Sequence, residues 1–176
     1  MSNKHIDYSR KLKQLCVFAM FGVIMFISKK IMEFLPNFHL VGMLVITLTA
    51  VYRVKALIPI YIYVMLDGLF GGFNLWWYPY LYLWAVLWGM TMIVPKRIPR
   101  KFSLIVYPSL CAFHGLIFGS LYAPFQALVY DFTFKQTIEW ILLGFTFDVV
   151  HMIGNLCVGI LIVPCIDIIR RLEKTY

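Results

Sequence analysis

Long apolar runs, separated by short polar, basic or glycine- and proline-bearing breaks, organise this chain from end to end. A polar, basic stretch to Lys13 precedes the first run, residues 14–34, which ends at Pro36-Asn37. The second run, 38–52, is short, and Arg53 and Lys55 separate it from the third, 56–70. Gly71-Gly72 opens an aromatic-rich stretch, GGFNLWWYPYLYLW, leading into a fourth run at 79–94. Pro79 suits the first position of that helix, where its missing N–H costs nothing. A basic loop, PKRIPRK, leads to a fifth run at 102–122. The mixed segment 123–139 reads as a loop with some interfacial helix, and the last run, 140–169, is expected to shift geometry near Pro164. A helix needs roughly 17–25 apolar residues to cross a hydrocarbon core of ~30 Å. The expectation is an all-α integral membrane protein: one membrane domain over 1–176, a compact bundle of six transmembrane helices.

Composition supports that class. Of 176 residues, 62% are hydrophobic and 14% charged, against roughly half and a quarter in soluble domains. Mean hydropathy is +0.82. The net charge of +8 does not point to nucleic acid, because the basic residues lie in short clusters between apolar runs, as membrane topology is written. Cys16, Cys111, Cys157 and Cys165 all sit in apolar segments without CxxC spacing and read as small buried hydrophobes. The first run has no convincing small-residue cleavage site and is expected to be retained.

Charge placement sets the orientation. Thirteen of the 16 lysines and arginines fall on the side of the tails and of the loops after the second and fourth runs; Lys29, Lys30 and Lys135 fall opposite. The positive-inside rule then makes both termini cytoplasmic. The connections after the first, third and fifth runs face outward, and they hold most of the aromatic, glycine and isolated polar residues.

Three places could carry chemistry. In the aromatic stretch, Asn74, Trp76, Trp77 and Tyr78 suggest a binding loop, since flat rings bury area at low entropy cost; Tyr82 and Trp84 fit an interfacial belt. In the last run, Gly144, Asp148, His151 and Asn155 fall within about 60° of one helix face. A polar stripe of that kind points into a bundle, as ligand recognition or as interhelical hydrogen bonding. Asp67 can meet a ligand or pair with Lys29 or Lys30, and those lysines can instead pair with Glu33 on their own helix. His114 reads as structural. There is no HExxH, GxSxG or GxxxxGK[ST] pattern, so no catalysis, cofactor or bound metal is expected.

The pieces FLPNFHLVGMLV (34–45), PIYIYVMLDGLFGGFNLWWYPYLYLW (59–84) and GFTFDVVHMIGN (144–155), in this order and spacing, resemble the substrate-binding S components of energy-coupling factor (ECF) transporters. The resemblance implies a bacterial plasma-membrane protein that captures a small, vitamin-like molecule from outside. It implies assembly with a transmembrane coupling subunit and two cytoplasmic ATPases. Members often carry AxxxA spacing on the first helix for the coupling subunit; here Ala19 and Gly22 supply the small residues, with Val23 at i+4. The other readings are a membrane-embedded enzyme using Asp148 and His151, and a stand-alone small carrier.

Overall fold

The computed structural model describes residues 2–34 and 38–175, with side chains described for 11–34 and 38–173. The expected break at Pro36-Asn37 lies outside the described residues. All described elements are helical: α1 (Ser2–Ile31), α2 (Val41–Tyr52), α3 (Leu57–Gly71), α4 (Tyr80–Ile93), α5 (Arg100–Leu116), α6 (Phe118–Val129), α7 (Phe134–Gly159) and α8 (Ile162–Thr175). A short 3₁₀ turn, Arg53–Ala56, joins α2 to α3. Four helical runs, Lys11–Ile31, Val41–Gly71, Arg100–Val129 and Phe134–Gly159, are long and apolar enough to cross a membrane, and Tyr80–Ile93 is a shorter apolar helix.

The core is α2. Every residue from Val41 to Ala50 is buried, as expected of a helix that is apolar all round, and α1, α4, α5, α7 and α8 pack about it. Side-chain pairings fix the directions of the others. Gln14 with Lys55, Gly22 with Pro59 and Ile62, and Lys29 with Asp67 show α1 and α3 running parallel. Asp148 with Gly119, Asn155 with Cys111, and Gly159 with Pro108 show α7 antiparallel to the α5–α6 segment. One end of the bundle gathers basic groups: Arg53 against the end of α4, Arg100 paired with Asp167, and Arg170 on the Lys96 carbonyl. The opposite end gathers rings from the Gly71–Pro79 connection and α6.

Local chemistry explains the breaks. Arg53 takes φ 56, so the backbone cannot continue as helix, and α3 starts in a new direction. Its guanidinium donates to the Met92 and Val94 carbonyls at 2.6 and 3.1 Å, satisfying acceptors that the end of α4 leaves free. Arg53→Ala should destabilise the protein by about 2 kcal/mol, since charge-assisted bonds are worth ~1.5–3 kcal/mol; thermal unfolding in detergent measures it. Pro79 immediately precedes α4 and its carbonyl accepts from Leu83. The segment expected as a loop at 123–139 is mostly helix: α6 continues to Val129, and Thr133 and Gln136 form a capping box that starts α7. The last run is interrupted at Ile160-Leu161 rather than at Pro164, which falls in the first turn of α8, where proline removes no hydrogen bond.

Candidate functional site

The aromatic connection is shaped by its glycines. Gly72 has φ +87, open to glycine at no steric cost, and it turns the chain back over α3. A Cβ on Gly68 would sit 2.6 Å from the Trp77 indole nitrogen; the close approach lets Trp77 donate to the Val64 carbonyl at 2.8 Å. Trp77 is thereby buried as a wedge between the connection and α3. Its neighbours go elsewhere. Trp76 is half-buried with its carbonyl held by the Tyr122 hydroxyl at 2.9 Å. Tyr78 is exposed and stacks on Phe125 of α6, centroids 5.9 Å apart. Asn74 is exposed, and its carbonyl accepts from the Trp77 amide. The side chains of the expected binding loop are therefore divided among three environments.

On α7 the expected stripe faces inward: Asp148, His151 and Asn155 are all buried. Asp148 accepts from the Gly119 amide at 2.9 Å, and Asn155 donates to the Cys111 carbonyl at 3.0 Å. Both are tied to the α5–α6 backbone. His151 lies edge-on to Phe118 and His39, at 4.9 and 5.1 Å. Gly144 has no neighbour near its absent Cβ and is not part of this packing. Of the small residues on α1, Ala19 is exposed, whereas Gly22 is buried against Ile62 and Pro59; that smallness serves the α1–α3 contact.

Asp67 is 1% exposed and its Oδ2 lies 2.6 Å from the Lys29 ammonium. That ammonium also stands 5.3 Å from the Trp76 ring centre and 4.7 Å from that of Tyr80. Lys30 turns the other way, to Glu33 at 3.4 Å.

The residue that joins these parts was expected at a membrane interface. Trp84 is only 2% exposed. Around it stand His39, Tyr63, Tyr80, His114 and Phe118, each with ring centres 5.9–6.0 Å away. Its i,i+4 relation to Tyr80 places both on one face of α4, a signal present in the sequence. His39 carries no such signal, because it precedes α2 outside any helix. His114 is held through Nε2 near the Leu83 carbonyl at 3.1 Å.

This shell has an unusual property. The buried Tyr63 hydroxyl, Trp84 Nε1, His39 Nδ1, His114 Nδ1, His151 Nε2 and Asn155 Oδ1 have no hydrogen-bond partner among the described residues. Buried polar groups are otherwise satisfied in more than ~90% of cases. Donors (indole N–H, phenol O–H) and acceptors (amide oxygen) are both represented, with imidazole nitrogens able to take either role. Such a set can recognise a flat polar molecule by its edge while the rings hold its faces. Among the described residues no three His, Cys, Asp or Glu side chains converge as metal ligands. Comparison with protein-family models, curated proteins and solved structures finds no match for this chain.

Proposed function

We propose that this chain is the substrate-capture subunit of an ATP-driven, ECF-type importer, binding a small planar, vitamin-like molecule from outside the cell. The observation carrying the proposal is the shell of unpartnered polar atoms from Tyr63, Trp84, His39, His114, His151 and Asn155 inside a cluster of rings. A helix bundle that only needed to pack would bury those positions as hydrocarbon, because each orphaned group costs about 1–3 kcal/mol. On this reading the chain crosses the bacterial plasma membrane six times with cytoplasmic ends. Two crossings are the α5–α6 and α7–α8 segments, and the other four are α1, α2, α3 and α4. The basic end then lies inside, by the positive-inside rule, and the aromatic end outside. Asp67 and Trp76 flank the shell, and Asn74 and Tyr78 are exposed on the neighbouring aromatic connection.

A binding protein of this kind performs no chemistry of its own. Energy comes from a transmembrane coupling subunit and two cytoplasmic ATPases, with exposed Ala19 on the docking face of α1. Purified chain titrated calorimetrically with water-soluble vitamins and planar heterocycles should bind at least one tightly. His151→Ala and Trp76→Ala should each weaken that ligand by tenfold or more, about 1.4 kcal/mol. Unchanged affinity in both variants would remove the site assignment. Reconstituted alone, the chain should give no uptake; transport without ATPase subunits would favour a stand-alone carrier instead.

A further inference from the structure

The Lys29–Asp67 pair has one fixed and one movable member. Asp67 is 1% exposed on α3 and cannot reach water, so its carboxylate requires a cation beside it. Trp76 is pinned through its carbonyl by Tyr122, and Tyr80 leans edge-on against buried Trp84. Lys29, in contrast, sits on the last turn of α1, its side chain is 20% exposed, and its charge rides on a flexible four-carbon stem. A buried carboxylate flanked by the faces of two rings is the chemistry that selects organic cations. Tyr63, one turn before Asp67, adds a second pointer, since its fully buried hydroxyl has no partner among the described residues.

We propose that Asp67, Trp76 and Tyr80 form an organic-cation subsite in which the Lys29 ammonium is a displaceable occupant, so that the captured molecule carries an ammonium or cationic ring. This rests on the capture reading above and narrows its ligand class. An incoming cation replaces Lys29 at Asp67 and releases the lysine to the exposed end of α1, leaving no buried charge unpaired. An anionic ligand would draw Lys29 away and strand the Asp67 carboxylate. A neutral ligand gains nothing from the carboxylate.

The test uses the full chain in a nonionic detergent, with benzyltrimethylammonium as probe and benzyl alcohol and benzoate as neutral and anionic counterparts. Calorimetry should show binding of the cation in preference to both counterparts. Lys29→Met removes the competing occupant and should tighten the cation by on the order of tenfold. The double variant Lys29→Met/Asp67→Asn removes both charges and should fold while losing that gain. If Lys29→Met alone does not fold, monodisperse protein recovered only when benzyltrimethylammonium is present supports the proposal; no recovery overturns it. Folded Lys29→Met binding the cation no better than the double variant overturns it as well. The import reading fails separately, if no coupling subunit or ATPase co-purifies from native membranes, and that outcome leaves the cation measurements standing.

Discussion

Trp84→Ala should lower the stability of the bundle by about 3–5 kcal/mol, the range for truncating a buried aromatic ring, and, on the proposed capture function, abolish ligand binding. Trp84 is 2% exposed and its ring meets His39, Tyr63, Tyr80, His114 and Phe118. Within a membrane, lipid is as apolar as the core, so the loss is one of packing and ring contacts rather than of water exclusion. The gap also releases the positions of His39 and His114, whose Nδ1 atoms lack partners among the described residues. Trp84→Phe separates the two roles. It keeps an aromatic ring in the cluster but deletes the indole N–H together with part of the ring volume, so the variant should fold with a smaller stability loss than Trp84→Ala yet bind at least tenfold more weakly. Thermal unfolding and calorimetry on the same samples read both effects. A Trp84→Phe protein with undiminished affinity would show that Nε1 does not face the ligand.

Gly115→Leu should prevent the native bundle from forming. A single Cβ at Gly115 would already lie 2.9 Å from the His151 carbonyl oxygen and 3.0 Å from its carbonyl carbon. These are backbone atoms of α7 and cannot rotate aside. Even Gly115→Ala should push α5 and α7 apart and cost about 1–3 kcal/mol, the usual penalty of overpacking. The same displacement would break the bond from Asn155 to the Cys111 carbonyl, so binding should fall with stability. Gly89 and Gly144 provide the contrast. Nothing lies within 4 Å of a Cβ at either, so alanine there should be neutral or stabilising by up to about 1 kcal/mol through helix propensity. Size-exclusion profiles and melting temperatures of the alanine and leucine variants would separate packing glycines from incidental ones.

How far each part of the site could be read in advance follows the range of the interaction involved. The inward face of α7 was legible because a helix repeats every 3.6 residues, so Asp148, His151 and Asn155 declare a common face wherever that helix is placed. The aromatic connection was legible as a feature, but the fates of Trp76, Trp77 and Tyr78 were not. They are consecutive residues in a turn, and adjacent turn positions send side chains to different places. Trp77 went inward because Gly68, on another element, left room for it. Span boundaries shifted where capping and proline position overrode hydropathy. Thr133 and Gln136 begin α7 several residues before the apolar run does, and Pro164 sits in a first turn where it breaks nothing.

Hydropathy and periodicity along the chain were enough to establish that the protein is helical and apolar enough for membrane-spanning helices, which end carries the basic groups, and which face of α7 is polar. These are properties of composition and of single helices, set by hydropathy and periodicity within short windows. It took the folded packing to make Trp84 a buried hub against His39 and His114, to set His151 beside His39, and to send Lys29 to Asp67 while Lys30 takes Glu33. Each of those contacts joins residues from separate elements or selects between neighbours on one helix. The angle and depth at which helices pack decide such pairings, and no local pattern encodes them.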